Sequence, residues 1–309
     1  MKYFSFIIIC FFSITIQAQD KKVAVTVDDL PVVYYAEADL QHYKTITENL
    51  VRIFDEFEIP AIGYVNESKL YTNKKPDPAK IELLKIWLSN GYELGNHTYS
   101  HMNYHRSEFK DFTEDVIKGE QIAKKLSTDY GLEYRFFRHP YLRSGISKTH
   151  SDSLSVFLNE IGYTEAPVTI DNEDYIFAKA YHIAYNRNDS DLMEKIGNSY
   201  IDYMEKKIIH FERVSNDLFG RNISQTLLIH ANLLNSEYLD ELAQVYVDHG
   251  YIFVTQEEVL KDEAYQTEIT RFGDWGISML DRIALSRGKK GGFFSGDPVT
   301  PQFVNELGQ

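Results

Sequence analysis

Two histidines four residues apart, His97 and His101, stand in the stretch Glu93-Leu94-Gly95-Asn96-His97-Thr98-Tyr99-Ser100-His101. A helical turn there would bring both imidazoles to one face, which is a metal-ligand spacing. In a chain with 10 histidines such a pair also arises by chance, and it is more often solvated or hydrogen-bonded than ligating. Position adds weight to the metal reading. The run Gly91-Tyr92-Glu93-Leu94-Gly95 before the pair reads as a short strand, and strand ends are where α/β proteins build sites.

The elements that must position these groups alternate along the chain. Val23 to Val27 is a β-branched run stopped by Asp28-Asp29, and apolar residues at helical spacing (Ile46, Leu50, Ile53, Phe54, Phe57) predict a helix over 40–57. Strands are expected at 60–65, 92–94, 134–137, 167–170, 226–229 and 251–254. Helices are expected at 78–88, 109–130, 151–161, about 191–213 and 238–247. Strands alternating with helices imply a parallel sheet, most simply one closed as a barrel. Asp28-Asp29, His97 and His101, Arg138-His139-Pro140-Tyr141, Asp171 to Asp174, and His230 all follow strands, so a barrel would gather them at one rim. Singly, each has an ordinary explanation as a helix cap, a turn or a satisfied core group. Five together at one rim do not.

Composition bounds the function. Met1-Lys2, the apolar run from Tyr3 to Ile16 and the small-residue end Gln17-Ala18-Gln19-Asp20 read as a secretory signal peptide cut after Ala18, which implies a secreted or periplasmic protein. The run is shorter than the roughly 18 residues of a spanning helix and is followed by Asp-Lys-Lys, so no stable membrane anchor is expected after cleavage. The single cysteine, Cys10, lies inside that run, which leaves the mature protein without thiol or disulfide chemistry. A net charge of −14 offers no counterion release from a polyanion, so nucleic acid is not an expected partner. The 22 tyrosines fill core and surface, and they are also residues that stack on sugar rings. Nothing in the sequence signals an oligomeric state.

With the rim residues in view, the chain resembles the polysaccharide deacetylases, also called the NodB-homology domain or carbohydrate esterase family four. The resemblance lies in five motifs in order: Thr26-Val27-Asp28-Asp29, His97-Thr98-Tyr99-Ser100-His101, Arg138-His139-Pro140-Tyr141, Asp171-Asn172-Glu173-Asp174-Tyr175 and Leu228-Ile229-His230. It implies an α/β fold, a distorted (β/α) barrel of about seven parallel strands, in a single domain with a helical insertion and a C-terminal extension. The corresponding division is residues 1–18 as signal peptide, 19–261 as the deacetylase domain and 262–309 as an extension packing on the barrel.

The resemblance also implies roles. Asp29, His97 and His101 match a metal triad suited to Zn²⁺ or to another divalent ion such as Co²⁺. Asp28 matches the general base, Arg138 the residue that orients it, and the backbone N–H of Tyr141 a donor to the oxyanion. His230 matches the general acid, and Asp174 the carboxylate that holds it. The implied activity is deacetylation of N-acetylated amino sugars of a glycan such as peptidoglycan or a chitin-like polymer. The alternatives are a non-sugar amide or acetyl ester as substrate, or a non-catalytic glycan-binding relative. Leu30-Pro31 stands where the family commonly has glycine, and Tyr175 where it commonly has tryptophan; both departures bear on substrate more than on reacting groups. His105 is read as structural or solvent-facing and His139 as an exposed side chain in a turn. The helix in the insertion between Tyr175 and Gln225 is expected on the outside of the barrel, and the aromatics around Phe272 to Trp275 are read as an anchor rather than a lid.

Overall fold

The computed structural model describes residues 21–35 and 39–308. The expected signal peptide, its cleavage point and Cys10 lie outside the described residues. In chain order the strands are β1 (Lys21–Leu30), β2 (Ile62–Val65), β3 (Tyr71–Thr72), β4 (Lys75–Pro76), β5 (Glu93–Asn96), β6 (Phe136–Phe137), β7 (Thr164–Glu165), β8 (Gln225–His230) and β9 (Tyr251–Phe253). The helices are α1 (Leu40–Glu56), α2 (Pro78–Ser89), α3 (Phe109–Lys118), α4 (Ala123–Asp129), α5 (Lys148–Glu160), α6 (Asp174–Asn186), α7 (Ser190–Phe219), α8 (Leu233–Asp248), α9 (Gln256–Leu260), α10 (Met279–Ser286) and α11 (Gln302–Gly308).

Apart from the small β3–β4 hairpin, the strands form one parallel sheet in the order β7-β6-β5-β2-β1-β8, with β9 also paired to β1. Its central strand explains the sequence pattern. β1 is paired to both β2 and β8, and Val23 through Asp28 are all buried, so the strand reads as a continuous run rather than an alternation. Beyond β7 the chain crosses to the opposite edge, where Thr169 and Ile170 donate from their backbone N–H to the Thr226 carbonyl at 3.1 and 3.0 Å. The sheet is thereby curled into the distorted barrel that the sequence implies. Among the described residues no helix is long and apolar enough to cross a membrane.

Four departures from the sequence expectations have local causes. The helix expected over 109–130 is two helices. A Cβ on Gly119 would lie 2.5 Å from the Thr98 carbonyl carbon, and the buried Glu67 carboxylate accepts from Ile122 and Ala123 N–H to start α4. The segment 167–170 pairs only through the Ile170–Leu227 bridge; Pro167 has no N–H, and the Val168 carbonyl accepts instead from Met279 N–H at 2.7 Å. The region after Tyr175 holds two helices: α6 buries Ile176, Phe177, Ala180, Tyr181 and Ala184, and the longer α7 ends at Gly220 with φ +70. Residues 97–101 are not helical, and Thr98 and His101 take φ of +63 and +56.

Candidate metal and hydrolytic centre

The register of β1 against β2 shifts between Val27 and Leu30, and Asp29 within that bulge has φ +68. Consecutive strand residues ordinarily face opposite sides; the bulge and the left-handed turn let Asp28 and Asp29 line the same cavity. Such backbone strain concentrates at functional sites. β5 ends at Asn96, and the following turn is held from several sides. Asn66 Nδ2 donates to the His97 carbonyl at 2.6 Å, Thr98 N–H to Asn96 Oδ1 at 2.7 Å and Ser100 N–H to Asp115 Oδ2 at 2.9 Å.

Asp29 Oδ1 lies 3.6 Å from His97 Nε2 and 3.6 Å from His101 Nε2, too far for hydrogen bonds. The oxygen is buried and has no hydrogen-bond partner, and the three atoms fall within 4.8 Å of one another. A tetrahedral cation with ligands at about 2.0–2.2 Å would set its ligand atoms roughly 3.3–3.6 Å apart, so the donor set fits a divalent ion. Protonation agrees. His97 Nδ1 donates to the Arg138 carbonyl at 2.8 Å, leaving Nε2 as the lone-pair nitrogen. Burial, with His101 next to it, holds His97 well below the usual histidine range, and burial likewise lowers His101. Burial alone would raise Asp29, but Lys69, His101 and His97 outweigh it and keep the carboxyl ionised.

Asp28 and His230 are register partners across β1 and β8, so the two strands set these groups side by side. Burial pushes Asp28 up to about 6 against the pull of Arg138, whose Nη1 stands 3.5 Å from the carboxylate. Arg138 follows β6, donates from Nη2 to Thr26 Oγ1 at 2.9 Å and stacks 4.6 Å over the Tyr64 ring. His230 Nδ1 donates to Asp174 Oδ1 at 2.7 Å, and its N–H to Oδ2 at 2.9 Å. Burial pulls His230 down, yet the Asp174 charge and hydrogen bond, aided by Asp29 and Asp28, raise it to about 9. Asp174 is fully buried and also accepts from Asn235 Nδ2 at 2.9 Å. Tyr141 has φ +58, and its half-exposed ring lies 4.3 Å from that of His101.

All eight residues expected at the site are therefore brought to one end of the sheet, and all but Arg138 and Asp174 line a single cavity of about 790 Å³. His105 is buried, accepting from Gly145 N–H at 2.9 Å. His139 is buried as well, bonded to Glu165, so the expected exposed side chain is not found. Residues outside the five motifs also line the cavity: Tyr35, Arg143 and, from the insertion and the C-terminal segment, Lys207, Ile277, Asp281 and Asp297. The insertion helix is thus more than outer packing, since the Lys207 ammonium is buried 2.6 Å from Asp297. Lys69 went unrecognised in the sequence although it closely follows β2; the end of that strand, Asn66 to Lys69, was the available signal.

The arrangement can bind a cation between one carboxylate and two neutral imidazoles, with a near-neutral carboxyl and a cationic imidazole beside it. That pairing of opposed acid–base tuning suits hydrolysis of an acyl bond.

Comparison with known proteins gives two findings. The family described as polysaccharide deacetylase matches residues 15–166. Among solved structures, the chitin deacetylase of Colletotrichum lindemuthianum superposes with a TM-score of 0.52 at 19% identity, covering 79% of this chain and 89% of that one. A mutant, with restored enzymatic activity, of a carbohydrate esterase family 4 pseudoenzyme from Bacillus anthracis superposes at 0.50 with 15% identity, covering 78% and 68%. At these identities the likeness is one of fold. No curated protein matches the sequence.

Proposed function

Because this chain belongs to the polysaccharide deacetylase family, we propose that it is a metal-dependent hydrolase removing acetyl groups from N-acetylated amino sugars of a glycan. The observation that carries the reading is the placement of Asp28 and His230, register partners with opposed tuning, beside the Asp29–His97–His101 cluster. A binding protein needs neither a base nor an acid there.

Asp29, His97 and His101 would hold the ion, with Zn²⁺ or Co²⁺ matching the donor set. A divalent ion so held supplies Lewis-acid polarisation of a carbonyl and a lowered pKa for water. The protein's own groups do the rest. Asp28, oriented by Arg138, accepts the proton of the attacking water. The backbone N–H of Tyr141 donates to the oxyanion as it forms. His230, kept cationic by Asp174, gives its proton to the departing amine. The N-terminal segment supports delivery outside the cytoplasm, as a secreted or periplasmic enzyme.

The test is acetate release by the purified protein after chelation, with and without added Zn²⁺ or Co²⁺, from N-acetylglucosamine oligomers, peptidoglycan and acetylated xylan. Metal-restored release from an N-acetylated glycan is the expected result. Silence across the panel with metal bound would overturn it, in favour of a non-sugar amide or a binding role.

A further inference from the structure

Just past Pro140 two consecutive residues stand in the left-handed region, Tyr141 at φ +58 and Leu142 at φ +53. Neither is glycine, and a Cβ crowds the backbone there, so single residues adopt it seldom and a pair more seldom still. Two bonds close the turn locally, from Leu142 N–H to the His139 carbonyl at 3.0 Å and from Arg143 N–H to the Pro140 carbonyl at 3.1 Å. Backbone of this kind persists where its surroundings over-determine it.

The C-terminal segment supplies those surroundings. α10 is itself fixed: Ser278 Oγ accepts from Asp281 N–H at 3.0 Å, Met279 N–H donates to the Val168 carbonyl at 2.7 Å, and Leu280, Ile283 and Ala284 are fully buried. From this helix the buried Arg282 donates from Nη2 to the Leu142 carbonyl at 2.7 Å. The chain entering α10 presses on the neighbouring peptide. A Cβ on Gly276 would lie 1.8 Å from the Tyr141 carbonyl oxygen, so only glycine lets the two backbones meet. Before it, Asp274 pairs with Arg106 and stands 3.4 Å from His105 Nδ1, which ties down the other end of the strap. Where the chain enters the turn, His139 is bonded to Glu165, whose charge also acts on the Arg282 guanidinium. The turn is thus held at His139, Tyr141 and Leu142.

We propose that Gly276 and Arg282 are positioning residues for hydrolysis, acting through the Tyr141 and Leu142 carbonyls to hold the turn that aims the Tyr141 N–H at the developing oxyanion. Both lie outside the five motifs. The role of that N–H rests on the proposed function; the hold on the turn does not. A backbone donor can be aimed only by fixing the backbone, and an oxyanion donor acts when preorganised at about 2.7–3.1 Å from the oxygen. Misplacing such a group by about 1 Å lowers the rate on the order of a hundredfold.

The experiment compares wild type, Arg282→Met, Arg282→Lys and Gly276→Ala by acetate release from N-acetylglucosamine oligomers and by hydrogen–deuterium exchange of the peptide covering 139–145, with metal content measured for each. Arg282→Met and Gly276→Ala are expected to lower kcat about ten- to hundredfold, with KM within about twofold and metal content unchanged, because the oxyanion contact forms in the transition state. Arg282→Lys keeps a donor and is expected to recover most of the loss. Exchange should rise in the first two variants and stay near wild type in Arg282→Lys. An unchanged kcat in Arg282→Met would overturn the proposal, as would a loss in which KM and metal content worsen together with kcat. Should Arg282→Met fail to fold, Gly276→Ala carries the same test, and a preserved kcat there would refute the role. A wild type that releases no acetate, with the exchange difference present, would refute the proposed function and leave the hold on the turn standing. No exchange difference would refute the hold, whatever the activity.

Discussion

Lys69 Nζ donates to the main-chain carbonyl of Asp29 at 2.8 Å while standing 3.7 Å from the same residue's Oδ2. One side chain thus fixes the left-handed backbone of Asp29 and neutralises one carboxylate oxygen, leaving Oδ1 for the two imidazoles. Partners of this kind set both the orientation and the charge of a ligand. Lys69→Met is expected to lower metal affinity by about 10–100-fold with the fold retained. Competition against a chromogenic chelator measures it, and an unchanged affinity would show that Asp29 needs no such support.

Asp28 is expected to matter to turnover and not to the fold. Asp28→Asn keeps the shape beside Arg138 but cannot accept a proton. Its kcat should fall roughly a hundred- to ten-thousandfold with metal content unchanged. Activity within a few-fold of wild type would remove Asp28 from the base role.

The pH dependence is expected to answer to Asp174. His230 must be protonated to act as an acid, so activity should decline as pH rises through its value of about 9. Asp174→Asn removes the charge that opposes burial, which lowers the His230 pKa and moves that alkaline decline to lower pH. A profile of kcat/KM against pH tests this. An alkaline limb that stays in place in Asp174→Asn would exclude His230 as its origin.

Acid stability is expected to involve His105. Burial holds its ring neutral, with a pKa of about 4 against an ordinary 6.5, Asp274 opposing. The unfolded chain therefore takes up a proton first: the contribution is complete above 6.5 and is lost as pH falls through about 4. Urea midpoints across that window should fall more steeply for wild type than for His105→Gln. Parallel slopes would mean that His105 titrates alike in both states.

Gly119 holds the turn between His97 and His101 at close range. Its added Cβ would lie 2.5 Å from the Thr98 carbonyl carbon and 2.6 Å from Tyr99 N, both backbone atoms that cannot swing aside. Gly119→Ala is expected to destabilise by about 1–3 kcal/mol and to weaken metal binding as the turn shifts. Denaturant unfolding together with chelator competition reads both, and a neutral substitution would show slack between α3 and the turn.

The order of strands and helices, and the groups that follow five of the strands, could be read from the chain alone. Those signals are local: Val23 to Val27 is β-branched because β1 is buried on both sides, and Asp28-Asp29 or His97 and His101 come next in the same few residues. What only the tertiary structure decided depends on contacts between distant residues. Periodicity cannot show that Glu67 starts α4 or that Gly119 presses on Thr98, so the helix over 109–130 looked unbroken. Nor does spacing announce that Lys69 reaches back 40 positions to Asp29, or that Lys207 and Asp297 meet at the cavity wall across 90. The candidate reacting groups were legible because chemistry restricts which residues can serve. Their supports were not, because any residue of suitable length and charge can come from wherever the fold passes close by.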